Sequence, residues 1–297
     1  MLEALAILEH VDTVQYGFGT GEYLHAMAEA LKLTLADREA YIADPDFVDV
    51  PVDALMSREY GELRARDIDP AVASPGMPAP GQINGFAPYL SPVIERSAPA
   101  RLPADTSIVT VIDDHGNAVC VTPSDTSWDT PVVPGTGLAV SSRGDQSRAI
   151  HGHPACIAPG KRPRLTPNPC FARREGKWIM PFGTPGGDTQ VQANVQMLHA
   201  MFDFGMGLQE AVEAPRLMTH SHPDSFAPHQ ASPGRVTVEG RFDDMAIEGL
   251  AARGHKVERL TDWTHWMAGI CAVRKDMDSG GLEAAADPRR MSRSMGW

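Results

Sequence analysis

A threonine hydroxyl becomes a nucleophile only when a base takes its proton, and a carbonyl oxygen turning negative needs N–H donors close by. Two short segments of this chain offer such groups. Asp105-Thr106 follows a proline-rich arm and opens a β-type run. That placement presents a hydroxyl at a strand end, although threonine also starts strands through β propensity alone. Gly183-Thr184-Pro185-Gly186-Gly187-Asp188 leads from a strand-like run into a helix-like one. Consecutive glycines let backbone N–H groups approach a reacting oxygen, and a helix N-terminus adds partial positive charge; the same pair also serves as an ordinary strand-to-helix turn. His151-x-His153 and His220-x-His222 each offer two imidazoles, but neither has a third ligand at a clear spacing. No metal site is expected there, and both pairs read as solvated loops.

These groups need elements to hold them. Residues 1–10 and 21–42 read as helices, the second with Thr20 as N-cap and Leu24, Met27, Ala28, Leu31 and Leu35 along one face. Asp44-Pro45-Asp46 ends it, and one more short helix is expected before Ile68. From 70 to 103, prolines at 70, 75, 78, 80, 88, 92, 99 and 103 predict an exposed, mobile connector. Runs 107–113 and 118–122 around Asp114-His115-Gly116-Asn117 predict a hairpin. Strands at 178–182, 235–239 and 269–273 and helices at 189–204, 208–214 and 243–253 complete an α+β layered pattern. Three regions result: a helical 1–69, the connector 70–105 and a mixed 106–297, the part that the family likeness given below implies to be catalytic. Trp263 and Trp266 beside His265 read as packed aromatics, and Arg289-Arg290 as a terminal ion pair or cap.

Composition narrows the function. With 42% apolar residues the chain can fill a core, and a net charge of −12 without a basic run argues against nucleic acid or an anionic membrane surface as partner. No apolar run reaches the roughly 20 residues that span a bilayer. Cys120, Cys156, Cys170 and Cys271 form no C-x-x-C pair and read as buried thiols. The start lacks a signal peptide's basic region and cleavage site, which favours the cytoplasm but leaves the compartment open.

The segment from Asp105-Thr106-Ser107 through Val111-Ile112-Asp113-Asp114-His115-Gly116-Asn117 resembles the start of the small subunit of gamma-glutamyltransferases. The resemblance continues in order through Val132-Val133-Pro134-Gly135-Thr136-Gly137, Ala158-Pro159-Gly160-Lys161-Arg162-Pro163, the glycine segment 183–188, Ala211 to Arg216, and Asp287-Pro288-Arg289. Upstream, Glu22-Tyr23-Leu24, Ala36-Asp37-Arg38 and Asp44-Pro45-Asp46 look like the end of the family's large subunit, whose amino-terminal part is missing.

The resemblance implies a four-layer αββα sandwich of the N-terminal-nucleophile hydrolase type, lacking part of the first layers. It implies that Thr106 becomes a new N-terminus by self-cleavage after Asp105, so that its own α-amine, with a pKa near 8, serves as base. Gly186 and Gly187 then supply the oxyanion hole. Ser124 falls where a family threonine bonds the nucleophile, and Thr166 at a Ser/Thr position; both also suit plain turns. Thr126, Arg143 and Gln146 stand where the transferases hold the γ-glutamyl α-ammonium with Asn, Gln and Asp. A cationic Arg143 suits that ammonium poorly and makes the chain look closer to the acylase-like branch. The implied substrate is a γ-glutamyl amide first and a glutaryl-type amide second, with no cofactor. A separate large-subunit-like chain or a second copy of this one is the expected partner, and without it the chain reads as a catalytically silent fragment.

Overall fold

The computed structural model describes residues 1–95, 106–125 and 130–297. Helices α1 (Leu2–Leu8), α2 (Thr13–Tyr16) and α3 (Gly21–Tyr41) come first, then α4 (Val52–Leu55) and α5 (Arg58–Ala65). The stretch before Ile68 thus holds two short helices where one is expected. Ser57 explains the second, because its Oγ accepts from Tyr60 N at 3.1 Å and caps α5.

Thr20 caps α3 as its type predicts, accepting from Tyr23 N at 3.2 Å. The apolar pattern of α3 predicts one covered face, yet every residue except Glu22 and Arg38 is buried. Polar groups inside that packing must find partners. Glu29 meets Lys32 at 2.6 Å, and Asp37 accepts from Arg64 Nε at 3.0 Å, Tyr60 OH at 2.9 Å and Gly81 N at 2.6 Å.

The strands are β1 (Val109–Ile112), β2 (Ala118–Val121), β3 (Cys170–Arg174), β4 (Trp178–Gly183), β5 (Leu217–Thr219), β6 (Arg235–Val238), β7 (Lys256–Arg259), β8 (Cys271–Asp276) and β9 (Leu282–Ala286). They form the hairpin β1-β2, an antiparallel sheet β3-β4-β8-β9, and a sheet β5-β6-β7 in which β6 and β7 run parallel. Helix α8 (Asp244–Ala252) connects the parallel pair, as parallel neighbours require. Two cores result. Leu24, Met27 and Leu31 of α3 pack with Val236, Val238 and Leu250, while Met180, Phe182, Ile270 and Ala272 pack with Met197 and Leu198 of α6 (Thr189–Phe202) and Leu208 and Val212 of α7 (Leu208–Glu213).

The connector departs from expectation. Its described part is pinned to the body by Ala73 N to Arg253 O at 2.7 Å, Gly81 N to Asp37 and Ala231 N to Ile94 O at 2.8 Å, with Ile83 buried beside Tyr41 and Tyr60. Proline excludes regular structure without excluding such anchors. Of the four free thiols only Cys170 is buried, the others being half-buried. Among the described residues no helix is long and apolar enough to cross a membrane.

One surface is unusual. Val109 pairs with Val121 and Val111 with Val119, and all four valines are about half exposed. The opposite hairpin face buries Ile112 and brings Cys120 Sγ to Phe182 O at 3.2 Å. A one-sided antiparallel hairpin normally turns polar residues outward.

Candidate active site

The hairpin places the first functional pair. Its register, set by the turn in which Asp113 accepts from Asn117 N and Nδ2 at 2.7 and 2.8 Å, runs from Ile112 opposite Ala118 to Val109 opposite Val121. Continued along the ribbon, the same register sets Thr106 against Ser124, and the two form a bridge. Their hydroxyl oxygens lie 2.6 Å apart. Thr106 is buried at 7% exposure, so its hydroxyl faces protein rather than water.

Arg143 closes on the same serine. It sits in a 3₁₀ turn, Ser142–Gln146, capped by Ser141 Oγ accepting from its N–H at 3.2 Å. Its Nε donates to Ser124 O at 3.0 Å and its Nη2 to Ser124 Oγ, while the guanidinium lies 5.3 Å from the Phe226 ring centre. Asp125 Oδ1 accepts from Ser142 N and Oγ, each at 3.2 Å, which ties this turn to the residue after Ser124. Gln146 donates from Nε2 to Thr166 Oγ1 at 3.0 Å, and its buried Oε1 has no hydrogen-bond partner among the described residues. Thr126 and Asp105 lie outside the described residues.

The glycine segment stands at the end of β4. A Cβ on Gly183 would meet Ile108 Cδ1 at 2.8 Å and Asn168 O at 3.3 Å, so the glycine lets the segment after Thr106 pack closely on the end of β4. That contact brings Thr106 and the loop within a few residues of each other. Gly186 has φ +134° and Gly187 φ +56°. Their carbonyls accept from Thr189 N and Gln190 N at 3.0 and 3.2 Å, whereas no acceptor among the described residues takes either glycine's N–H. The first turn of α6 follows directly, adding its partial positive charge.

Asp188 anchors this loop from behind. It accepts from Arg38 Nη1 at 2.5 Å, Ser225 Oγ at 2.6 Å and Ser225 N at 2.8 Å. Burial alone would raise its pKa, but the Arg38 charge and these bonds hold the carboxyl well below its usual range. Further back, Thr184 Oγ1 accepts from Gly269 N at 2.8 Å.

The sequence profile of gamma-glutamyltranspeptidases matches residues 1–297. The chain belongs to that family. It is 32% identical over 97% of its length to the glutathione hydrolase proenzyme of Escherichia coli strain K12, covering 47% of that protein. It is similar to the structure titled LmbA2991HD, with 36% identity, TM-score 0.86 and coverage of 98% of this chain and 50% of that one. A cephalosporin acylase from Bacillus halodurans superposes with 25% identity and TM-score 0.70 over 99% of this chain and 49% of its own. The chain spans about half the length of the curated relatives it matches.

Two family-like segments owe their presence to a network that spacing alone does not reveal. Arg216 pairs with Asp287 at 2.8 Å, Arg289 with Asp287 at 3.1 Å and with Glu239 at 2.6 Å, all buried. Arg216 Nη1 also donates to Met267 O at 2.8 Å, and Asp287 accepts from Ile270 N at 3.1 Å. The network therefore fixes 267–270, which includes Ala268 beside Gly186 and Gly269 bonded to Thr184. Arg38 was visible only as part of the Ala36-Asp37-Arg38 likeness, and nothing local signals that it reaches Asp188.

One member of each histidine pair departs from the expectation of solvated loops, whereas His151 is exposed as expected. His153 is buried, its Nδ1 accepting from Ala155 N at 2.9 Å and its Nε2 donating to Glu39 Oε1 at 3.0 Å, and His222 is buried beside Asp188. A different trio, His25, Glu29 and His255, brings its ligand atoms within 4.8 Å. Lys32 already supplies positive charge there, 2.6 Å from Glu29, and with burial it pushes the His255 pKa down to about 3. Trp263, read as packed, is half exposed with Arg241 3.6 Å over its ring centre.

Proposed function

We propose that this chain performs amide acyl transfer through a Thr106 acyl-enzyme, formed after self-cleavage between Asp105 and Thr106. The observation that carries this reading is the 2.6 Å pair of Thr106 and Ser124 hydroxyls on a segment whose Ile108 packs against Gly183, at the end of the strand that leads into the glycine loop. In maturation, Thr106 Oγ1 attacks the Asp105 carbonyl carbon, the peptide C–N bond breaks to an ester, and water hydrolyses it. The products are a carboxylate on Asp105 and a free amine on Thr106. In turnover that amine takes the Thr106 hydroxyl proton and passes it to the leaving amine as the substrate C–N bond breaks. The Gly186 and Gly187 N–H groups hold the oxyanion, and water or an acceptor amine then receives the acyl group.

The donor is a γ-glutamyl or a glutaryl-type amide. Arg143 favours the second, since a cation beside a poorly solvated ammonium is repulsive by roughly a few kcal/mol. Gln146 Oε1 adds one neutral acceptor. Turnover of glutaryl-p-nitroanilide should equal or exceed that of the γ-glutamyl analogue. A large excess in the other direction would remove Arg143 from the donor pocket.

The exposed valine face motivates a second element of the proposal, that a large-subunit-like half completes the αββα layers by covering Val109, Val111, Val119 and Val121. Intact-mass analysis tests both elements. The wild type should give pieces ending at Asp105 and starting at Thr106, and Thr106→Ala should stay whole. Cleavage seen only when the complementary half of a relative is co-expressed would mark this chain as silent alone. Absence of cleavage in both settings would refute the nucleophile assignment.

A further inference from the structure

We propose that Arg143 is a positioning residue that acts on Thr106 through Ser124, by donating into the serine oxygen so that the serine proton is delivered to Thr106 Oγ1. The proposal rests on the reading of Thr106 as nucleophile.

A guanidinium only donates, whereas a serine hydroxyl has one proton and two lone pairs. Arg143 Nη2 occupies one lone pair of Ser124 Oγ, and its Nε holds Ser124 O at 3.0 Å, so the fork fixes backbone and side chain of the same residue. A cation on that lone pair makes the oxygen a poorer acceptor and its proton a better donor. The other side-chain partner among the described residues is Thr106 Oγ1 at 2.6 Å, and with Arg143 polarising the serine oxygen the favoured arrangement has Ser124 as the donor in that pair. Thr106's own proton is then turned away from Ser124 and left for the base. As that proton departs, the Ser124 hydrogen bond and the charge behind it stabilise the negative charge gathering on Thr106 Oγ1. Maturation and turnover use the same oxygen, so both should respond.

The surroundings hold the fork in place. Arg143 is buried against Phe226, and Asp125 secures the turn that carries it through Ser142. Arg143 also lowers the Asp125 pKa, though less than the bonds from Ser141 and Ser142 do.

The test reads position 106 with and without activity. In Thr106→Cys protein, the rate of iodoacetamide labelling at that position near pH 7, located by peptide mass, should fall about tenfold on adding Arg143→Ala. Adding Arg143→Ala to a Thr106→Cys, Ser124→Ala protein should change it little. In wild-type background, Arg143→Ala should slow self-cleavage and kcat by about ten- to a hundredfold, with KM changed by a smaller factor, and Arg143→Lys, a cation without the fork, should recover only part of the loss. Unchanged labelling, or equal losses with and without Ser124, overturns the proposal. A wild type that neither cleaves nor turns over, but whose Thr106→Cys labelling still depends on Arg143 through Ser124, overturns the nucleophile reading and leaves the relay standing.

Discussion

Replacing Gly187 with valine keeps the backbone N–H but forces it away from its φ of +56°, and should lower turnover per folded, matured site by up to about 100- to 1000-fold, the range for losing an oxyanion donor. The expectation follows from the Gly186 and Gly187 N–H groups, which no acceptor among the described residues takes, in the turn between β4 and α6. Stability should change as well, because Gly187 has φ +56° and a β-branched residue there costs roughly 1–2 kcal/mol. The two effects separate in measurement. Turnover normalised to active-site titration is compared with the melting temperature, and Gly205→Val, at φ +68° after α6, serves as a turn glycine away from the chemistry. Full turnover with a lowered melting temperature in both variants would reduce Gly187 to a turn residue.

The largest stability effect is expected at Glu39. Its carboxylate accepts from Arg148 at 2.7 Å, Arg164 at 2.6 Å and His153 at 3.0 Å in the interior, and from the half-buried Ser91 at 3.0 Å. Glu39→Ala strands two buried guanidinium groups, which typically costs about 3–5 kcal/mol. That is a large share of the roughly 5–15 kcal/mol that holds a domain together. Lys177→Ala, which breaks an exposed pair with Asp278, should cost no more than about 1 kcal/mol. Urea unfolding of the three proteins checks the contrast, and equal midpoints would refute it.

The pH dependence carries a definite sign. Burial would raise the Glu39 pKa, but the His153 bond and the Arg164 and Arg148 charges outweigh it and hold the group well below its ordinary 4.5. Its contribution is therefore complete above pH 4.5 and is lost as pH falls below that value toward the folded-state pKa. The gap between wild type and Glu39→Ala should narrow in that acid range.

Much of the frame was legible because local chemistry decides it. Thr20 and Gly205 mark helix ends through capping and left-handed backbone, and Asp113 to Asn117 sets a hairpin turn, so α3, α6 and β1-β2 fall where the residues place them. Strands β3, β5, β7 and β9 went unread. Their segments, such as Leu217–Thr219 with all three residues buried and Lys256–Arg259 with charged ends, are too short or too mixed to alternate, and pairing partners rather than propensity hold them.

The candidate site divides along the same line. By itself the sequence determined Thr106 as the residue opening a hairpin, the glycine pair before a helix, and a family likeness running from Glu22 to Arg289. Only the tertiary structure decided that Arg143 spends its fork on Ser124, that Arg38 grips Asp188 behind the glycine loop, and that His153 belongs to the Glu39 cluster. The physical reason is range. Caps, turns and register act over a few residues, whereas an ion pair such as Arg38 with Asp188, 150 residues apart, forms only where packing removes water and leaves a buried charge no other partner.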